Sequence, residues 1–347
     1  MLNAALEGGQ RGHPAAVAPA ALAADLAGEP CAAVRPVAGG GNSRVYRVCT
    51  RSGARYALKR YPDAGDDPRE RLGREWAALR LMERLGVDTV PRPLACDRPR
   101  HAALYSWLDG TPVAEPGAAD IDRLAAFLAR LHGLRGAAEA AAFPWASAAC
   151  PTPAHLEAQI HRRLERLRAT PLPEPVGAFL EESFRPCWAR LRRAYRHATR
   201  AAGLAPDQAV PLTLSPADAG FHNALRTPRG LVHVDFEYFG RDDPVKLVAD
   251  ILLHPRGAPP PALRRPFLGA VQALYGGGDP DFAARLERGL PLYALVWCLI
   301  LLNVFLPGGA RAAAPAAGDA LRRERLGRAR ALLRHIPVLR EEVRDAL

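Results

Sequence analysis

The residues most able to do chemistry stand between positions 214 and 237 of a 347-residue chain. Asp218 and Asn223 lie five apart in Leu214-Ser215-Pro216-Ala217-Asp218-Ala219-Gly220-Phe221-His222-Asn223, and the apolar run Val232-His233-Val234 ends in Asp235. A loop with this spacing presents one carboxylate to an incoming hydroxyl and one amide oxygen to a divalent cation. Asp235 adds the hard anionic oxygen that Mg2+ prefers. These are the parts that phosphoryl transfer asks for, since that reaction needs positioning and charge neutralisation more than covalent work by the protein. Two earlier features complete the set. In Gly39-Gly40-Gly41-Asn42-Ser43 the missing Cβ atoms let backbone N–H groups approach phosphates. Lys59 follows one hairpin later at the end of an apolar strand, with Glu75 in the next helix as its carboxylate partner. A second glycine triplet, 276–278, runs into Asp279-Pro280 and reads as a plain turn.

The lysine is singled out by composition as well. The net charge of +11 comes from 45 Arg and only 2 Lys, Lys59 and Lys246, a skew that resembles the codon bias of a GC-rich genome. Where nearly every cation has become arginine, a retained lysine marks a place that needs a compact ammonium. The same skew weakens the case for a nucleic-acid partner, because the charge is not gathered on one face. Near the C-terminus, Arg322, Arg325 and Arg328 spread around a helix whose Leu326, Leu333 and Ile336 face inward, the pattern of a solvated surface.

These residues need a scaffold, and the patterning supplies one. Residues 34–37, 45–48 and 56–59, separated by glycine-bearing turns, predict a small antiparallel sheet. Residues 68–85 carry a helical apolar period that stops at Gly86, and 102–107 resume as a strand before Asp109-Gly110. Helical patterns follow at 121–132, 154–167, 176–202 and most of 267–346, interrupted by short strands at 212–214, 224–226 and 231–236 around the chemistry. The expected architecture is α+β with two lobes. Residues 1–27 are loose or only locally helical. Residues 28–108 form an N-lobe with the glycine-rich loop, lysine strand, glutamate helix and hinge. Residues 109–347 form a helical C-lobe with catalytic and metal loops at 212–240.

With 49% hydrophobic and 24% charged residues, most of the chain buries a core and disorder is excluded. The apolar run 292–306 is shorter than the roughly 20 residues of a membrane span and reads as a buried helix. No membrane partner or secretory leader is expected, and six dispersed cysteines suggest neither zinc nor disulfides, so a cytoplasmic setting is the expectation. P-loop, G-x-S-x-G and H-E-x-x-H signatures are absent.

In order and spacing, these motifs resemble the aminoglycoside phosphotransferase and choline kinase family of small-molecule kinases, over about residues 34–255. Arg74 to Leu79, Ser106 to Gly110, Leu124 to His132, and Asp235-Phe236-Glu237-Tyr238-Phe239-Gly240 with Asp243-Pro244 are similar to its helix, hinge, first C-lobe helix and metal loop. The resemblance implies a bilobed protein-kinase-like fold, a small antiparallel β N-lobe with a mainly helical C-lobe, and ATP and Mg2+ as cofactors. It implies Asp218 as catalytic base, Asn223 and Asp235 as metal ligands, Lys59 as phosphate anchor with Glu75 as partner, and adenine contacts from the backbone near Leu104, Ser106 and Trp107. The acceptor is expected to be a hydroxyl of a small metabolite such as an amino alcohol, a sugar or an aminoglycoside. For a polycation the only acidic group of note is Glu237, Asp242 and Asp243.

The chain also departs from the family. Pro216 stands where the family has a histidine that braces the catalytic loop, Arg44 where protein kinases carry a third loop glycine, and Leu247 where an acid is often found, with Asp250 three residues on. Lys246 in this stretch reads as a snorkelling surface residue. The competing expectation, motivated by Pro216, is a catalytically inactive kinase-fold protein that binds a nucleotide or other ligand. Retention of Lys59, Asp218, Asn223 and Asp235 together argues against it.

Overall fold

The computed structural model describes residues 18–37, 43–62, 69–308 and 315–347. Two compact units divide the chain: Met1–Leu72 with Arg92–Trp107, and Gly73–Pro91 with Leu108–Leu347.

The first unit is a five-stranded antiparallel sheet under one helix. Strands β1 (Cys31–Val37), β2 (Arg44–Thr50), β3 (Arg55–Arg60), β4 (Pro93–Asp97) and β5 (Ala102–Ser106) stand in the order β1-β2-β3-β5-β4. The β2–β3 hairpin turns on Gly53, whose φ of +90° an L side chain avoids. Helix α1 (Pro19–Ala27) lies within the segment expected to be loose. Its Leu22 and Ala23 are fully buried with Val48, Leu58, Ala102 and Leu104, and that burial orders a stretch whose own periodicity is weak.

Strand alternation then decides where the lysine goes. Leu58 faces the α1 side of the sheet, so Lys59 faces the other. There it is buried, with Nζ 5.2 Å from the Tyr61 ring centroid, while the Tyr61 hydroxyl meets that of Tyr105 at 2.7 Å.

The second unit is mainly helical. Helix α2 (Arg71–Arg84), nearly all of it in this unit, buries Glu75, Leu79 and Met82 on one face. Helices α3 (Ala118–Gly133), α4 (Ala138–Ala141), α5 (Pro153–Arg168), α6 (Glu174–Ala178) and α7 (Arg185–Ala201) follow, the last two joined by a wide helical turn at Phe179–Phe184. Beyond the strands come α8 (Pro244–Leu253), α9 (Pro261–Tyr275), α10 (Phe282–Leu301) and α11 (Pro315–Ala346). Phe282–Phe305 is long and apolar enough to cross a membrane, yet 67% of its most apolar window is buried inside this fold. Its partners include α5, α8 and α11.

Five short strands position the two polar loops. Strands β7 (Thr213–Ser215) and β10 (Gly240–Asp242) pair antiparallel with Ser215 opposite Gly240. Strands β6 (Thr111–Pro112), β8 (Ala224–Thr227) and β9 (Gly230–His233) form a second small sheet with Ala224 opposite His233. The loop that leaves Ser215 and enters Ala224 is therefore clamped at both ends against the loop that leaves His233 and enters Gly240. The strand expected to continue to 236 stops at His233, because Asp235 adopts φ +69° and turns the chain out of the ladder.

Candidate active site

The loop 216–223 is held by its own polar groups. Ser215 Oγ accepts from the Ala217 N–H at 3.0 Å, and Ala217, at φ +63°, bends the chain so that Asp218 projects from it. The Asn223 side-chain N–H donates to the Asp218 carbonyl at 3.0 Å, and the Asn223 carbonyl accepts from Val234 N–H at 2.9 Å. With its amide nitrogen spent on the loop, Asn223 keeps its amide oxygen for a ligand. Ala217 and Asp235 are two of five non-glycine residues with left-handed backbone among the described residues, and such strain gathers at functional sites.

The second loop gathers acids. Glu75, Asp235 and Glu237 each place a carboxylate oxygen within 4.8 Å of the others, and Glu75 and Glu237 are almost wholly buried. An all-oxygen, anionic donor set suits a hard cation such as Mg2+ better than a soft one. Asp235, an expected ligand, thus stands with two further acids, and the other, Asn223, accepts through its backbone carbonyl from Val234 N–H next to Asp235. Helix α2 grips the same loop from behind: Glu75 Oε1 accepts from the Phe236 N–H at 3.2 Å, and Arg74 donates to the Phe239 carbonyl at 2.8 Å and the Trp145 carbonyl at 2.7 Å. Sequence reasoning read Glu75 only as the partner of Lys59. It missed Glu75 and Glu237 at the metal loop, although Glu237 follows Asp235 at the two-residue spacing that returns a side chain toward the same side.

Asp218 is enclosed by imidazoles. His222 Nε2 lies 3.0 Å from Asp218 Oδ1 and His254 Nε2 3.9 Å from the same atom. The two rings stack with centroids 3.8 Å apart at 4°. Burial raises the Asp218 carboxyl, but the His222 hydrogen bond and the two rings outweigh it and leave the group below its ordinary value. His254 is pushed down to about 4, chiefly by burial.

Behind Asp218, helix α8 carries Lys246, which is buried rather than at the surface. Its Nζ lies 3.2 Å from Asp242 and 2.7 Å from Asp250. The expectation of a snorkelling lysine fails because Lys246 is held between two acids, Asp250 one turn on in α8 and Asp242 at the end of β10. Asp250, the candidate replacement for the acid missing at Leu247, is committed to Lys246 and to the Trp297 indole N–H at 2.9 Å. Asp243 caps α8 by accepting from Val245 N–H and forms a two-point pair with Arg285, which also binds Asp279.

The expected nucleotide contacts of the first unit divide. Gly39, Gly40, Gly41 and Asn42 lie outside the described residues, while Ser43 is buried at their edge. Leu104 sits in β5 between β3 and β4, so its backbone groups are spent within the sheet rather than free for adenine, and its side chain packs under α1. The Ser106 N–H donates to the Arg92 carbonyl at 2.9 Å. Trp107 stands past the strand end, its ring carrying the Arg47 guanidinium at 5.2 Å.

Known proteins share this fold. The model of the phosphotransferase enzyme family matches residues 33–286. No curated protein matches the chain in sequence. Among solved structures, a choline/ethanolamine kinase family protein from Mesorhizobium loti is similar at a TM-score of 0.57 and 18% identity, over 90% of this chain and 92% of that one. A choline kinase from Cryptosporidium parvum reaches 0.56 at 13% identity, over 90% of each chain. A thermostable mutant of aminoglycoside phosphotransferase APH(4)-Ia, in ternary complex with ADP and hygromycin B, reaches 0.54 at 13% identity, over 91% of this chain and 98% of that one.

Proposed function

Because the chain belongs to the phosphotransferase enzyme family, we propose that this small-molecule kinase uses ATP with Mg2+ and transfers the γ-phosphoryl group to a hydroxyl of a small, uncharged or weakly charged metabolite. The observation that carries the reading is the clamping of two loops side by side, Ser215 opposite Gly240 and Ala224 opposite His233, which brings the loop bearing Asp218 and Asn223 beside the loop bearing Asp235.

In this reading Asp218 is the base. Its Oδ1 is occupied by His222, so Oδ2 takes the acceptor proton as the acceptor oxygen bonds to the γ-phosphorus. The bond from that phosphorus to the β–γ bridging oxygen breaks, and its electron pair leaves on ADP. Asp235, with the Asn223 amide oxygen and the neighbouring acids Glu75 and Glu237, would hold Mg2+, which when bound neutralises the phosphate charge. From the first unit the proposal takes Lys59 as phosphate anchor, loop 39–43 as the phosphate cradle, and the backbone at Trp107 for the adenine.

The acceptor class follows from charge accounting. Of the three acids available for a polycation, Asp242 faces Lys246, Asp243 is paired with Arg285, and Glu237 belongs to the metal cluster. An aminoglycoside would find no spare carboxylate among them, which favours a sugar or amino alcohol.

Calorimetric titration of Mg·ATP into the protein and into Asp235→Ala, with magnesium and then with chelator, tests the reading. It expects binding that needs both the metal and Asp235, and ADP release on adding a hydroxyl acceptor that Asp218→Asn abolishes. Absence of Mg·ATP binding by the unaltered protein would overturn it.

A further inference from the structure

We propose that His222 and His254 are positioning residues for Asp218: His222 holds one carboxylate oxygen, His254 stacks against His222, and the other oxygen is left to take the acceptor proton. The inference rests on the phosphotransferase reading above, but the geometry that carries it is independent of that reading. The two residues before Asp218 cannot hold its carboxylate, since Pro216 lacks an N–H, Ala217 carries no polar side chain, and the Ala217 N–H is spent on Ser215. The restraint comes from downstream, and from a different element.

Hydrogen bonding fixes the tautomer of each ring. The Arg256 N–H donates to His254 Nδ1 at 3.2 Å, so Nδ1 is the acceptor and the ring proton sits on Nε2, on the side of Asp218. His222 Nδ1 is buried without a partner, whereas Nε2 lies 3.0 Å from the Asp218 carboxylate. A proton on Nδ1 would leave a buried donor unsatisfied and set a lone pair against an anion, so this ring also carries its proton on Nε2. His222 therefore donates to Oδ1 at 3.0 Å, while the Nε2–H of His254 faces the same oxygen from 3.9 Å, beyond hydrogen-bond reach.

The same arrangement removes the imidazoles from the list of bases. The only unprotonated nitrogen of His222 is closed in by Gly220 and Gly257: a Cβ on Gly220 would come within 2.7 Å of it, and one on Gly257 closer still. The only unprotonated nitrogen of His254 is occupied by Arg256. Neither can reach an acceptor hydroxyl, and Asp218 Oδ2 is left. Nor is the trio a transition-metal centre, although its donor atoms are close. Rings stacked 3.8 Å apart at 4° send their in-plane lone pairs out parallel, and such pairs do not converge on one ion.

The pair is itself built in. Lys246, Asp250 and His254 recur every four residues, so helix α8 lines the first two along one face and leads to His254 at its C-terminal cap, while Asp242 reaches Lys246 from the end of β10. Trp297 of α10 donates to Asp250 and meets the His254 ring edge to face, with centroids 5.1 Å apart at 90°. The orientation of Asp218 thus depends on the packing of α8 against α10.

The test uses the full-length protein with Mg·ATP and water as the acceptor, reading ADP release by steady-state kinetics, Mg·ATP affinity by calorimetry, and folding by melting temperature. In His222→Ala and His254→Ala, kcat is expected to fall about 10- to 100-fold, as loss of aim does, while KM and Kd for Mg·ATP stay within about twofold. His222→Gln, whose amide N–H reaches the place of Nε2–H, should recover most of the loss. Unchanged kcat in His222→Ala, a KM that rises in step with the loss, or a glutamine variant no better than alanine would overturn the inference. So would a crystal structure of His222→Ala with Asp218 still in its present rotamer, whatever the turnover. Failure of the parent reading shows separately, as unaltered protein that binds no Mg·ATP, and the inference then falls with it.

Discussion

Replacing Lys246 by methionine is the sharpest probe of the second unit. The side chain is only 7% exposed, and Nζ stands between Asp242 Oδ2 at 3.2 Å and Asp250 Oδ2 at 2.7 Å, with Asp242 itself at 0%. Methionine conserves the stem and removes the charge, leaving two acids without their cation. Breaking a buried ion pair by deleting one partner costs about 3–5 kcal/mol. At roughly 2–4 °C per kcal/mol, the transition of this unit should drop on the order of 10 °C at pH 8.

Acid should soften the loss, and the sign can be worked out. Burial already pushes the Asp242 carboxyl up to about 6 with Lys246 opposing it, and without the lysine it rises further. The folded variant then binds a proton that the unfolded chain, near 3.8, has released. Stability therefore falls with rising pH over a wider range in the variant than in the parent. The deficit of Lys246→Met should shrink from pH 8 to pH 5, as measured by melting or denaturant unfolding of both proteins in the same buffers. A deficit below about 1 kcal/mol, or one equal at the two pH values, refutes the reasoning.

Other outcomes follow from the same structure. Arg285→Met strands Asp243 and Asp279, both buried, and should cost about 3–5 kcal/mol in denaturant unfolding. Arg285→Lys should recover only part of this, because an ammonium cannot reproduce the two-point fork. Gly240→Ala would drive its Cβ into the backbone of Trp145 and Ala146, so β10 must part from that segment. A loss of at least about 2–3 kcal/mol is expected, together with weaker Mg·ATP binding, since Gly240 ends the loop that carries Asp235 and Glu237, the proposed metal ligands. His132 is held at about 4, mainly by burial, below the 6.5 of the free imidazole. The unfolded chain takes up that proton first, so its stabilising effect is complete above pH 6.5 and is lost as pH falls toward 4, by at most about 1.4 kcal/mol per pH unit. His132→Phe should flatten that part of the stability–pH curve.

Much of the scaffold is written locally in the residues. The β2–β3 hairpin follows from alternation and from a glycine that accepts positive φ, and α3 follows from a 3.6-residue apolar period. The order of glycine loop, lysine strand, D-x-x-x-x-N and apolar strand ending in Asp was enough to place the chain in its family, because each of those signals spans only a few residues. Helix α1 was less legible, since its order comes from two side chains buried under a sheet whose strands lie elsewhere in the sequence.

The site divides the same way. Residue type and spacing selected Asp218, Asn223 and Asp235. Tertiary structure alone brought Glu75 from α2 to the metal loop, buried Lys246 between two acids, and used up the backbone of Leu104 within the sheet. It also set His254 of α8 against His222 of a loop, with Trp297 of α10 behind them. Spacing along a chain fixes which side chains share a strand or helix face, but a contact between two elements depends on how their faces pack. That is why Asp218 could be singled out from the sequence while the stacked rings beside it could not.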